Sequence, residues 1–174
     1  MNFLNFYKKN IVNYDLINKF SYTNPTNLPK IKQINVYFIF KTPDISNTLT
    51  GLNALELLSQ QKGVLIKSKT PNISLKIRKG NPVGCMVKLR KNKKDRFLNK
   101  LLNDIFGKKY RIDYDTSFKH FILSFNIKST LLFNELKQNY RFFGRLPFLR
   151  INLLTTAKTK NEFKFLIKSY KLIN

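Results

Sequence analysis

The segment LKIRKGNPVGCMVKLRKNKK, residues 75–94, constrains the fold more than any other part of the chain. It spaces Lys76, Arg78, Lys79, Lys88 and Arg90 along strand-like stretches on either side of a short turn, KGNPVG. Ile77, Val83, Val87 and Leu89 stand between them. A surface loop has no use for so regular a set of apolar residues. A strand buried on both faces would not tolerate cations at the intervening positions, because an unpaired charge is expensive to desolvate. What remains is a sheet with one apolar face and one basic face. The wider stretch from Lys62 to Arg96 holds 12 of the chain's 33 Lys and Arg residues and one acid, Asp95.

The same imbalance runs through all 174 residues, where 33 bases meet 9 acids and leave a formal charge of +24. A free protein so charged repels itself, and its natural complement is a polyanion. Nucleic acid comes first and an anionic membrane surface second. Part of the charge has another origin. Lys, Asn, Ile, Phe and Tyr, all encoded by A/T-rich codons, number 26, 21, 16, 16 and 8, half the chain. An organellar gene, above all a mitochondrial one, is the expected source, with another organelle or an A/T-rich bacterium as the alternative. Lone Cys85 excludes an internal disulfide and a Cys-cluster zinc site, and its alternating apolar neighbours predict a buried thiol. No apolar run reaches 18 residues, so no membrane-inserted helix is expected. The opening MNFLNFYKKNIVNY lacks the Arg and Ser of a transit peptide and is read as the first helix of the mature fold.

Periodicity organises the rest into one domain, residues 1–174. Residues 3–20 read as a helix with Phe3, Phe6, Tyr7, Tyr14, Ile17 and Phe20 on one side. The breaks at Pro25 and Pro29 lead into a strand over 30–41, where Ile34, Val36, Phe38 and Phe40 alternate with Asn35, Tyr37 and Ile39. A helix over 47–60 carries Leu49, Leu52, Leu55 and Leu58, with Gly63 as its stop signal. Strands follow at 64–69 and 83–90. Asn92 is the expected cap of a helix over 93–106 that buries Phe97, Leu98, Leu101, Leu102 and Ile105. Residues 110–128 hold a strand or hairpin, 129–147 have no readable period, and 148–157 form another strand. Thr159 and Glu162 make a capping box for a last helix burying Phe163, Leu166, Ile167 and Tyr170. The predicted fold is α+β: a five-stranded, mostly antiparallel sheet with helices on one face. Its other face is basic, gathering Lys67, Lys69, Lys88, Arg90 and Arg150 with Asn35, Tyr37 and Asn152. Such a surface can follow phosphates by charge and meet RNA sugars and bases by hydrogen bonding and stacking.

Four segments carry a family resemblance: LSQQKGVLIKSK, LKIRKGNPVGCMVKLR, the helix after it, and LLTTAKTKNEF. LPKIKQINVYF fits the same family's first strand. The spacing from Gln61 to Arg90 matches the family pattern without a gap, and matching segments cover about residues 5–106 and 148–172. The chain resembles the large-subunit ribosomal protein five family, the 5S rRNA-binding protein of the central protuberance. The resemblance implies a five-stranded antiparallel sheet with helices on its convex face and 5S rRNA on its concave face. Gln61, Lys67, Lys69, Lys88, Arg90, Arg150, Asn35 and Tyr37 are then the expected rRNA-binding residues. The loop with Ser74, Lys76, Arg78 and Lys79 is implied to approach the P-site tRNA. Neighbouring large-subunit proteins and a protein of the small-subunit head are implied partners. No cofactor or metal is expected.

The chain departs from this family in places. Tyr37 stands where the family usually has Asn, and Lys88 where it has Thr. The tRNA-side loop reads Ile73-Ser74-Leu75 in place of A-G-F, which removes a glycine's freedom from its tip. From Gly107 to Leu146 the family's motifs are not recognisable, and residues 107–147 form a divergent segment. Two rivals exist outside the ribosome. Asp113 and Asp115, two apart on a strand, share a face as the carboxylates of a metal-dependent nuclease would, but no further acidic pair supports them and His120 has no evident carboxylate partner. The basic, amphipathic first and last helices fit a membrane-surface protein, although packing on the sheet explains their apolar sides equally well. A basic RNA-binding protein free of the ribosome is the remaining alternative. On this reading the protein is not an enzyme.

Overall fold

The computed structural model describes residues 3–40, 44–106, 113–117 and 121–172. The alternating apolar stretches form one antiparallel sheet. Its strands are β1 (Ile31–Ile39), β2 (Val64–Lys67), β3 (Pro82–Leu89), β4 (Asp113–Ser117), β5 (Ile122–Ile127) and β6 (Leu149–Thr155). The spatial order is β2-β3-β1-β6-β5-β4. The α+β architecture and antiparallel sheet match the sequence reading. The strand count is six because the 110–128 segment supplies both arms of a hairpin, β4 and β5.

Register carries the apolar alternation across the sheet. Val36 pairs with Val87 on one side and Ile151 on the other, and Ile151 pairs with Phe125. Ile34 likewise links Leu89 with Leu153, which pairs with Leu123. All eight residues are buried, and the helices cover this face. These are α1 (Phe3–Tyr7), α2 (Asn13–Lys19), α3 (Ile45–Ser59), α4 (Lys91–Lys100), α5 (Asn134–Lys137), α6 (Tyr140–Phe143) and α7 (Lys160–Ser169). Phe97, Leu98, Leu101 and Ile105 are buried, with Leu102 packed against them, as the stripe on α4 and its continuation predicts. The stripe on α7, Phe163, Leu166, Ile167 and Tyr170, is buried as well.

Three helical expectations are corrected. In the first helix the buried residues are Leu4, Val12 and Leu16, while Phe3, Phe6, Tyr14 and Ile17 are exposed. The cause is a π-helical turn, Lys8–Val12, between α1 and α2. Its extra residue shifts the phase of everything after it, so a constant 3.6-residue period picks the wrong side. In α3 the sheet-facing residues include Thr48, Gly51 and Ala54 beside Leu55 and Leu58, and Leu49 is exposed. This helix lies close to the sheet: a Cβ on Gly51 would stand 2.7 Å from the Phe40 ring. Small residues, not the leucine series, therefore mark the contact side. The helix starts under an Asp44 cap, whose carboxylate accepts from Ser46 N at 3.2 Å. It ends at Gln60, which takes a left-handed φ of 53°, ahead of Gly63. Finally, α4 begins at Lys91 after Arg90, which makes no side-chain cap, so Asn92 is not its cap.

The capping box on α7 is present: Glu162 N donates to Thr159 Oγ1 at 3.3 Å and Thr159 N to Glu162 Oε2 at 3.2 Å. Thr159→Ala is expected to cost about 1 kcal/mol, measured by urea denaturation. An unchanged midpoint would mean that the helix start is held by packing alone.

Cys85 is fully buried on β3, as expected. Burial pushes its thiol from the usual 9.0 up to about 12, against an opposing hydrogen bond at the Phe38 backbone. A folded-state pKa above the unfolded one gives stability that is present below pH 9 and is lost as pH rises toward 12. The native protein should therefore resist alkylation at pH 8 and react once unfolded in urea. Equal rates in both states would contradict the burial.

Candidate nucleic-acid interface

The alternation that fills the core places the intervening residues on the opposite, helix-free face. Strand pairing sets them in rows. In one row Lys88, Asn35, Asn152 and Ser124 are successive partners across β3, β1, β6 and β5. In the next, Met86, Tyr37, Arg150 and Asn126 are partners across the same strands. These side chains are half-buried, apart from Lys88, which is exposed.

Hydrogen bonds tie the rows together. Asn152 Nδ2 donates to the Tyr37 hydroxyl at 3.0 Å, and that hydroxyl donates to Asn152 Oδ1 at 3.3 Å. Arg150 Nε donates to Asn126 Oδ1 at 2.9 Å. Arg90 Nε donates to Gln33 Oε1 at 2.9 Å, and Gln33 Nε2 donates to Asn35 Oδ1. Each guanidinium is thus anchored through Nε, an arrangement in which its terminal N–H groups are oriented donors for an anion. Amides held by neighbours lose little freedom on meeting a ligand, and that favours binding.

The structure brings together Asn35, Tyr37, Lys88, Arg90 and Arg150 of the predicted site. Gln61 joins them indirectly, its Nε2 donating to the carbonyl of Lys88 at 3.3 Å. Lys67 and Lys69 stand apart. Lys67 pairs with Pro82, at the far end of β3 from Lys88, about 20 Å away at ~3.3 Å per residue. Gln33, Ser124 and Asn126 were not among the predicted site residues. Ser124 and Asn126 fill polar positions of the β5 alternation, and that signal could have found them. Gln33 sits next to a register shift in β1, is only 7% exposed, and is legible only through its partners.

Residues 68–81 form an arm. Ser68 N bonds to Asn81 O at 2.9 Å and Gly80 N to Ser68 O at 3.0 Å at its base. Asn72 and Ile77 exchange both backbone bonds, at 2.8 and 2.9 Å, below a four-residue tip, 73–76. Lys76 supplies the left-handed residue of that tip, with φ 52°. Gly80 has φ 90°, a conformation natural only to glycine. Ile73 is 94% exposed at the tip, and Ser74, Lys76, Arg78, Lys79 and Lys69 are exposed along the arm. Ile77 alone turns inward.

The nuclease alternative gains nothing. Asp113 and Asp115 pair with Asn126 and Ser124 on β4, and His120 lies outside the described residues. Among the described residues no three His, Cys, Asp or Glu side chains converge as metal ligands, and no helix is long and apolar enough to cross a membrane.

No family model matches the chain. Individual relatives do, over nearly its whole length. It is 35% identical over 177 residues to the large ribosomal subunit protein uL5m of Reclinomonas americana, covering 99% of this chain and 97% of the relative. It is 33% identical to uL5 of Nitrosomonas eutropha, covering 94% and 93%, and 32% identical to uL5 of Geobacter sulfurreducens, covering 93% and 92%. These relatives place the chain among the structural proteins of the large ribosomal subunit, a class without enzymatic activity. It belongs to the uL5 family.

Proposed function

We propose that this chain is the uL5 constituent of a mitochondrial ribosome, a single ribosomal-protein domain that binds 5S rRNA in the central protuberance through its open sheet face. The observation that carries this reading is the hydrogen-bonded ladder of Lys88, Asn35, Tyr37, Asn152 and Arg150 on the face that no helix covers. A surface of fixed amides with cations at its margins suits the sugar–phosphate edge of folded RNA. The mitochondrial assignment is supported by the A/T-rich composition and by the likeness to the Reclinomonas protein. The arm, with Ser74, Lys76, Arg78 and Lys79, reaches the P-site tRNA. A protein of the small-subunit head and neighbouring large-subunit proteins complete the contacts.

Tyr37 and Lys88 give this interface its own character. The Tyr37 hydroxyl is already bonded to Asn152, so its ring edge and not a free amide meets the RNA. Lys88 offers a mobile point charge in place of a short hydroxyl. The interface therefore leans more on phosphate contacts than one built from Asn and Thr. Affinity for 5S rRNA should fall steeply with salt, the logarithmic slope being about −0.9 per phosphate neutralised in duplex and ~−0.7 in single strands. A flat response between low and physiological salt would contradict this. The deciding experiment is sedimentation of organelle lysate in moderate salt, followed by sequencing of RNA from the large subunits. Co-migration with 5S rRNA crosslinked to the open face is expected. A particle whose 5S rRNA lies away from Lys88 and Arg150 would overturn the assignment of the face.

A further inference from the structure

A second cluster of cations lies among the elements packed on the helical side of the sheet. A pocket of about 180 Å³ opens between the first helix and the segment that leads into β1. Lys8 and Asn13 line it from the helix, and Thr26 and Lys30 line it from the segment. Its walls are held in place. Pro25 and Pro29 stiffen the segment, and Asn27 closes a 3₁₀ turn through its N–H to Asn24 O at 3.1 Å. Lys158 Nζ grips the same Asn27 at 3.1 Å. The backbone of Lys30 is fastened to Thr156 on both sides, at 2.9 and 3.0 Å.

Charge in this place is unbalanced. Lys94 comes in from α4, donating to Ile31 O at 2.9 Å, and Asp95 answers it at 3.1 Å. Burial, with Lys94 and Lys30 as like charges, lowers the pKa of Lys8, and Asp95 offsets this only in part. Three ammonium groups and one carboxylate thus converge on a preformed, half-buried hollow. A free protein gains nothing from that arrangement, since like charges drawn out of water repel. A phosphate group would resolve it. The volume suffices for one phosphate with a few waters, at ~30 Å³ per water, and Asn13 and Thr26 add neutral donors.

We infer that the pocket between Lys8, Asn13, Thr26 and Lys30 is a phosphate site, and that its occupant is a backbone phosphodiester of ribosomal RNA approaching from the side opposite the open sheet face. The protein then sits between two RNA segments and does not cap one. This rests on the reading of the chain as an rRNA-binding protein, but on none of the residues that carry that reading.

The test uses the full chain, inorganic phosphate, and rRNA purified from large subunits. Phosphate should raise Tm by about 2–4 °C over chloride at equal ionic strength. Lys8→Gln with Lys30→Gln should abolish that response and raise Tm in chloride, because the empty site repels itself. The same double variant should make the salt dependence of rRNA binding shallower, shrinking the loss of affinity between about 50 and 200 mM salt roughly threefold per phosphate contact removed. Lys9→Gln, an exposed lysine on the same helix, should do neither. If phosphate and chloride act alike and the slope is unchanged, there is no site. If phosphate stabilises but the slope is unchanged, free phosphate is the occupant and the RNA contact is wrong. An equal effect of Lys9→Gln reduces the result to net charge and overturns the proposal. Lys88→Gln reports separately on the open face: its failure to weaken binding would count against that face and leave the pocket standing.

Discussion

Gly84→Val is expected to destabilise the protein by about 3 kcal/mol, a fall in Tm of roughly 6–12 °C for a chain of this size. Gly84 lies in β3 opposite Ile39 of β1. A Cβ built there would stand 2.3 Å from the carbonyl oxygen of Phe38 and 3.5 Å from the Cα of Ile39. Both atoms belong to the backbone, so no rotamer change relieves the clash; β1 and β3 must part. Those strands present Asn35, Tyr37 and Lys88, so the same substitution should also weaken RNA binding. Thermal melts followed by circular dichroism measure the first effect. A Tm within about 2 °C of the parent would show that the two strands are not so closely packed at this point.

The largest effect on binding should come from Lys88→Glu combined with Arg150→Glu. The two residues stand in adjacent rows on either side of β1, so reversal places two negative charges in the middle of the open face. Each lost charge-assisted contact is worth about 1.5 kcal/mol or more, and two lower RNA affinity on the order of 100-fold. The fold should suffer little. Lys88 is exposed, and Arg150 gives up its hydrogen bond to Asn126, about 1 kcal/mol. A control with the same change in net charge, Lys137→Glu with Lys168→Glu, alters exposed positions on α5 and α7. Filter binding at physiological salt compares the two. Equal losses would mean that RNA responds to total charge and not to the ladder.

Strands proved more legible than helices, for a physical reason. A strand's side chains alternate with period two and cannot drift, so Ile34, Val36, Phe38, Val87, Leu89, Ile151 and Leu153 declare the core face and their neighbours the open one. Asn35, Tyr37, Lys88 and Arg150 follow from that pattern alone. A helix keeps its phase only while its winding is constant. The π turn at Lys8–Val12 broke it, and Phe3, Phe6, Tyr14 and Ile17 came out on the exposed side. Helix α3 failed differently: close approach to the sheet selected Gly51 and Ala54, which a search for large apolar residues passes over. Sequence spacing put Lys67 and Lys69 with Lys88, but antiparallel pairing of β2 carries them to the other end of β3. The Lys8–Lys30 pocket joins residues from separate elements with no shared motif, and only the folded chain brings them together.

The central pairing of the sheet joins β1 to β6, and its Tyr37–Asn152 contact spans 115 residues. Non-local pairing of that kind is slow, because a long loop must close before any contact rewards it. On a translating ribosome β1 emerges well before β6, at about 5–20 residues per second. Until then β1 lacks one neighbour, and Asn35 and Tyr37 have no Asn152 or Arg150 beside them. The open face is therefore completed late in synthesis. A half-made chain carries positive charge without the shaped surface, so RNA capture is coupled to completion of the fold.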